Sequence, residues 1–183
     1  GGRTSDGMRF NRLQPTFFIL ADEFQPLPDV FFKRGVAVVT HEHQREMPEA
    51  KTTNYLAAAR EHNNGINKNS KAFEILYVRD GKALEGTTSN FFIFKGDALI
   101  TPDRNVLKGV TRKVALELAR PHFKIEERDI KTSEFKSAAE AFLTATNKEI
   151  LPVVKIDGRK VGNGRVGENT KVLMKIFNDY VNN

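Results

Sequence analysis

Three two-residue turn signals, Asp80-Gly81, Gly96-Asp97 and Asp157-Gly158, break this chain into short apolar runs. Pairs of this kind tolerate the positive φ angles of a tight hairpin, so each marks a point where a strand folds back. Residues 73–79 and 90–95 read as strands flanking the first signal. Residues 98–101 follow the second, and 151–156 precede the third. Runs rich in β-branched and aromatic residues at 17–20, 35–40, 123–130 and 141–144 add further strands. Gln25-Pro26-Leu27-Pro28-Asp29 reads as a turn or an extended crossing.

Helical signals fall between these runs. Residues 53–62 contain the alanine-rich stretch Tyr55-Leu56-Ala57-Ala58-Ala59-Arg60, which Gly65 and the polar run Asn67-Lys68-Asn69-Ser70 bring to an end. Val110, Val114 and Leu118 mark an apolar stripe for a helix over 111–120. Val172, Leu173, Ile176, Phe177 and Tyr180 mark one for a last helix over 168–181. No internal repeat or linker interrupts the pattern. One α+β domain over residues 1–183, with several hairpins, is therefore expected.

Composition excludes several function classes. The chain of 183 residues is 39% apolar and 28% charged, as a folded globular domain is. The apolar run 16–21 is far too short to cross a membrane, and Gly1-Gly2-Arg3-Thr4 opens no secretory signal. The absence of cysteine removes disulfides, thiolate metal sites and cysteine nucleophiles, and suits a cytoplasmic enzyme. The net charge of +6 is spread along the chain without interleaved aromatics, so it reads as solubility and not as a nucleic-acid surface.

Some motifs carry less than they promise. Gly162-Asn163-Gly164-Arg165-Val166-Gly167 has dinucleotide-fingerprint spacing, yet only sixteen residues follow it, too few for the second strand and the acidic residue that such a site needs. A tight loop capping the last helix is expected instead. His41-Glu42-His43 lacks a third metal ligand nearby in sequence, and His62 and His122 stand alone.

Four further segments gain meaning together. Arg45-Glu46-Met47-Pro48-Glu49-Ala50-Lys51-Thr52-Thr53-Asn54-Tyr55 places a lysine just ahead of a helix. Glu85-Gly86-Thr87-Thr88-Ser89-Asn90 sets a carboxylate beside hydroxyls before an apolar strand. Leu107-Lys108-Gly109-Val110-Thr111-Arg112 puts glycine and threonine at a helix start, where free N–H groups favour a phosphate. Thr144-Ala145-Thr146-Asn147 ends a strand with two hydroxyls. Each alone is compatible with a solvated lysine, a plain turn or an ordinary cap.

In order and spacing these segments resemble the cofactor-binding domain of class IV (fold-type IV) pyridoxal-phosphate aminotransferases. That group includes the branched-chain and D-amino-acid aminotransferases, and aminodeoxychorismate lyase shares its scaffold. The likeness extends through Glu127-Arg128-Asp129-Ile130, residues 139–146, Leu151-Pro152-Val153 and Ile156-Asp157-Gly158-Arg159. It implies a mixed-sheet pseudo-barrel with flanking helices, the large C-terminal domain of the D-amino-acid aminotransferase-like fold. It implies pyridoxal 5′-phosphate as cofactor, bonded through its aldehyde to Lys51, which also carries the proton between substrate and cofactor. By the same resemblance Glu85 holds the pyridine nitrogen, Arg45 supports Glu85, and Tyr55 meets the ring hydroxyl. Val110, Thr111 and Thr146 bind the phosphate, and Thr146 and Asn147 border the substrate carboxylate.

The implied reaction moves an amino group between an amino acid and a 2-oxo acid in a homodimer. A branched-chain substrate is favoured from Lys51-Thr52-Thr53-Asn54-Tyr55, with a D-amino acid as the second choice. The alternatives are lyase chemistry on the same lysine and glutamate, or a fragment that binds cofactor without turnover. Two departures stand out: Ala145 where the family often has glycine, and Asn147 where it has a small apolar residue. The family's smaller N-terminal domain, which supplies a phosphate-binding arginine, has no counterpart here, so a piece of a longer chain is expected.

Overall fold

The computed structural model describes residues 16–63 and 72–182, and its strands close into a ring. In chain order the elements are α1 (Asp29–Arg34), β1 (Val36–Glu42), α2 (Leu56–Asn63), β2 (Glu74–Arg79), β3 (Lys82–Gly86), β4 (Asn90–Lys95) and β5 (Ala98–Thr101). Then follow α3 (Val110–Ala119), β6 (Lys124–Glu127), β7 (Ile130–Lys131), a 3-10 turn (Thr132–Ser137), β8 (Glu140–Ala145), β9 (Glu149–Ile156), β10 (Arg159–Lys160) and α4 (Glu168–Val181). The order β4-β8-β9-β1-β2-β3 returns to β4 through the pair Glu85↔Asn90, giving a six-stranded barrel. β1 runs parallel to both β2 and β9, while the other ring pairings are antiparallel. This is the mixed-sheet pseudo-barrel with flanking helices expected above.

The two-residue period of a strand sorts the core into an inside and an outside. Phe91 and Ile93 of β4 belong to a cluster with Val36, Val38, Leu76, Ala83, Leu143 and Leu151, drawn from all six ring strands. Their neighbours Phe92 and Phe94 belong to a second cluster with Ala115, Leu116 and Ala119 of α3 and Leu173 and Phe177 of α4. Hence four successive residues, 91–94, are fully buried: one face fills the ring and the other lies under helices. Phe92 stacks on Phe142 at 4.6 Å and 9°, and each ring so buried stabilises by about 1.5–3 kcal/mol.

Several expectations change on contact with the structure. Residues 17–20 form no strand; their side chains are 72–85% exposed and pair with no described strand. Strand propensity reflects packing on a pleated surface, and here no such surface covers the segment. The segment read as a turn at 25–29 leads directly into α1, six residues that begin after Pro28 and end where Gly35 adopts φ +72°. The hairpin at Asp80-Gly81 joins β2 to β3, not to β4; β3 contains Lys82, Glu85 and Gly86, poor strand formers that hid it. Residues 123–130 divide into β6 and β7. In α3 the buried face is Arg112, Ala115, Leu116 and Ala119, and Val110 is exposed. In α4 it is Thr170, Leu173 and Phe177, leaving Val172 and Tyr180 outside. Among the described residues no helix is long and apolar enough to cross a membrane.

The glycine-rich loop is a helix cap, as expected. Gly162 and Gly164 adopt positive φ, and a Cβ on Gly162 would lie 2.1 Å from the Ala139 carbonyl oxygen. The free N–H groups at the start of α4 are taken by the Glu140 carboxylate, which accepts from Asn169 N (3.0 Å), Thr170 N (2.7 Å) and Thr170 Oγ1 (2.6 Å). A Cβ on Gly167 would fall 2.0 Å from Glu140 Cδ, so the glycine makes room for the carboxylate. We therefore expect Gly167→Ala, whose backbone φ of −79° suits alanine, to cost about 1–3 kcal/mol by displacing that cap. Urea unfolding measures it, and an unchanged midpoint would show that Glu140 does not hold the helix.

Candidate functional site

A cavity of ≈ 230 Å³ opens at one end of the barrel. It is lined from four directions: by Arg45, Lys51 and Tyr55 ahead of α2, by residues 85–90 where β3 turns into β4, by residues 107–111 at the start of α3, and by Thr144, Ala145 and Thr146 at the end of β8. Of the eight residues singled out in the sequence, seven line it: Arg45, Lys51, Glu85, Tyr55, Val110, Thr111 and Thr146. Asn147 does not. It lies one step further round the β8–β9 turn and lines a separate hollow with Phe24, Leu27, Phe32 and Phe177.

Glu85 is the buried acid of the cavity. Its Oε1 accepts from Arg45 Nε at 2.8 Å, and its Oε2 accepts from Leu107 N at 2.9 Å. Burial pushes its carboxyl above the ordinary range; the Leu107 N–H and the Arg45 guanidinium oppose this, and nearby Glu74 adds to it. Arg45 also donates to the carbonyls of Ala50 (3.0 Å) and Pro48, so one guanidinium ties the carboxylate to the loop carrying Lys51. The Lys51 side chain is exposed at the cavity and forms no ion pair or hydrogen bond with the described residues.

The start of α3 is shaped for an anion. Gly109 occupies its N-cap without a side-chain cap, and the first turn holds no acidic residue, which leaves backbone N–H groups available beside the cavity. A Cβ at Gly109 would sit 2.5 Å from Asn90 Oδ1, so the close approach of this loop to β4 requires glycine. Asn90 holds the loop through Nδ2, which donates to the Leu107 carbonyl at 2.6 Å. Thr144 Oγ1 is buried with no partner among the described residues, although Thr144 borders the cavity. A buried hydroxyl in that state costs about 1–3 kcal/mol unless a ligand or water completes it.

Sequence reasoning missed a second buried acid. Glu74, 4% exposed on β2, accepts from Thr87 Oγ1, Thr88 N and Oγ1, and Ser89 Oγ, and pairs with Lys148 Nζ at 2.8 Å. A glutamate inside the apolar run Phe73-Glu74-Ile75-Leu76 was its legible signal. The Thr144 hydroxyl was legible at the end of its strand, whereas Lys148 and Lys108 carried no signal. The donor set as a whole can take a phosphate-sized anion at the helix start, hold a protonated nitrogen at Glu85, and offer one amine at Lys51.

The amino-transferase class IV family model matches residues 2–156. The branched-chain-amino-acid aminotransferase-like protein 1 of Arabidopsis thaliana is 34% identical over 190 residues, 97% of this chain but 33% of that protein. D-alanine aminotransferase of Bacillus licheniformis is 36% identical over 105 residues, 56% of this chain and 37% of the other. A solved branched-chain amino acid aminotransferase from Thermobaculum terrenum, in its PLP-form, superposes with a TM-score of 0.73 at 27% identity, over 85% of this chain and 54% of that one. The chain thus spans about a third of these curated relatives and about half of the solved protein. A family match over most of the chain, on a barrel whose cavity gathers these residues, makes this a member of the class IV aminotransferases.

Proposed function

We propose that the cavity holds pyridoxal 5′-phosphate and that the complete protein transfers an amino group between an amino acid and a 2-oxo acid. One observation carries this reading: the Lys51 amine, the Glu85 carboxylate and the uncapped start of α3 line a single cavity. The cofactor, when bound, supplies an electron-accepting ring. Lys51 would hold its aldehyde carbon, Glu85 its pyridine nitrogen, and Tyr55 its ring hydroxyl. The N–H groups of Val110 and Thr111, with the Thr111 and Thr146 hydroxyls, would hold the phosphate.

Within this reading the protein's groups have separate tasks. The Lys51 amine would take the proton from the substrate Cα and return it to the former aldehyde carbon of the cofactor, two bonds away across the amino nitrogen. Glu85 keeps a proton on the ring nitrogen, and Arg45 keeps Glu85 both ionised and aimed. The substrate we favour is a branched-chain amino acid, supported by the names of relatives matched along nearly the whole chain. The matched D-alanine aminotransferases keep D-amino acids as the second choice. Leu56 and Val110, each 78% exposed near this end of the barrel, fit burial by the second copy of a homodimer. Asn147 stays a substrate-side residue only if that surface brings the substrate to its separate hollow.

Two outcomes are expected of the complete protein. Added pyridoxal 5′-phosphate gives a visible absorption band shifted to longer wavelength than that of the free cofactor, and Lys51→Ala abolishes the shifted band; a shifted band of equal strength in the variant would remove Lys51 from this role. Because the Glu85 carboxyl is raised, it is ionised only above that raised value. Cofactor affinity should therefore weaken as pH falls through it, and Glu85→Gln should show weaker binding without this acid limb. Titrations from pH 4 to 8 measure both, and an identical pH profile in the variant would show that Glu85 does not contact the ring.

A further inference from the structure

A buried polar cluster beneath the cavity belongs to none of the roles above. Glu74 and Lys148 are 4% and 5% exposed and come from opposite sides of the site, β2 and the β8–β9 turn. Glu74 accepts the hydroxyl protons of three successive residues: Thr87 (3.0 Å), Thr88 (3.1 Å) and Ser89 (2.9 Å), besides the Thr88 N–H at 2.7 Å. Lys148 donates to Glu74 Oε2 at 2.8 Å and to Thr88 Oγ1 at 2.5 Å. Its ammonium also lies 5.8 Å from the centre of the Phe73 ring.

A buried ion pair is weak grounds for stability, because removing both charges from water costs about what their attraction returns. What this pair does is join two walls of one cavity. Thr87, Thr88 and Ser89 line it from the β3–β4 turn, and Ala145 and Thr146 line it from the β8–β9 turn, two residues before Lys148. Lys148 N also donates to the Ala145 carbonyl at 3.0 Å, so the lysine is anchored to the second wall at its backbone and to the first at its amine. Gly86 completes the fit: a Cβ there would lie 2.3 Å from Ser89 Oγ and 2.8 Å from Glu74 Oε1.

We propose that Lys148, paired with Glu74, is a positioning residue that fixes the Thr87-Thr88-Ser89 turn against the Ala145-Thr146 turn and so sets the width and polarity of the cofactor cavity. The hydroxyl protons of all three turn residues are committed to Glu74, and Lys148 takes up an acceptor site on Thr88. The turn therefore offers its ligand oxygen lone pairs and no hydroxyl donors. Donors come from the other walls, namely Lys51, Tyr55, Thr146 and the start of α3. The inference rests on the reading that pyridoxal 5′-phosphate occupies this cavity.

The test is a titration of the complete protein with pyridoxal 5′-phosphate at 25 °C, with thermal melting run in parallel. Wild type, Lys148→Met, Thr88→Val and Lys148→Met/Thr88→Val are compared. We expect Lys148→Met to weaken cofactor binding about tenfold or more in protein that is still folded at 25 °C, because misplaced lining groups lose affinity without touching the ligand. The combined variant should bind no worse than the weaker single variant, since both act through the same turn. If Lys148→Met does not fold, Glu74→Gln/Lys148→Met, which leaves no unpaired buried charge, is read by the same criterion. A folded variant with lowered melting temperature but wild-type affinity, or losses that add in the combined variant, would overturn the proposal. A wild-type protein that fails to bind pyridoxal 5′-phosphate would instead overturn the reading beneath it, and the inference with it.

Discussion

Glu85 and Asn90 face one another across the pair that closes the barrel, and both reach the same residue beyond it. The Leu107 N–H donates to the Glu85 carboxylate at 2.9 Å, and the Leu107 carbonyl accepts from the Asn90 amide Nδ2 at 2.6 Å. Closure of the sheet and placement of helix α3 are therefore one event. Were the β3–β4 turn to shift by one residue, every side chain would change faces, Glu85 would leave the cavity and Leu107 would lose both partners. The uncapped helix start points where it does because the loop before it is clamped at these two ends.

The same turn governs the electrostatics. Glu74 and Glu85 are buried on adjacent strands, and each is met by one cation, Lys148 and Arg45 respectively. Neither cation comes from the strands carrying the acids. Arg45 arrives from the segment after β1 and also holds the carbonyls of Pro48 and Ala50, whereas Lys148 arrives from the β8–β9 turn. Each buried carboxylate thus draws a loop toward the end of the barrel, and both loops carry cavity-lining residues, Lys51 on one and Thr146 on the other. A plain apolar core could fill the ring as well, but it could not fix where these loops stop.

Much of this was legible in the sequence wherever it depends on local chemistry. The Asp80-Gly81, Gly96-Asp97 and Asp157-Gly158 signals each mark a turn with positive φ at the glycine, because that backbone shape is a local property. The four motif segments converge on one cavity because each lies at a junction between elements at the same end of the barrel. What escaped reading depends on distant partners. β3 is a strand only because β2, β4 and β7 pair with it. Lys148 is buried only because Glu74, 74 positions away, receives it. Residues 17–20 have strand composition but no described strand beside them. Asn147 follows a cavity residue in sequence, yet the turn takes it to another hollow.

In the function proposed, one amine, that of Lys51, is the group this cavity presents to an aldehyde. Lys108 lines the same cavity, and its amine is engaged by the Asp103 carbonyl, so the two lysines make an internal comparison. Reduction of the complete protein with borohydride in the presence of pyridoxal 5′-phosphate, followed by peptide mapping, distinguishes them. A pyridoxyl label is expected on the peptide containing Lys51 and none on that containing Lys108. A label on Lys108, or on a lysine outside the cavity, would contradict this assignment.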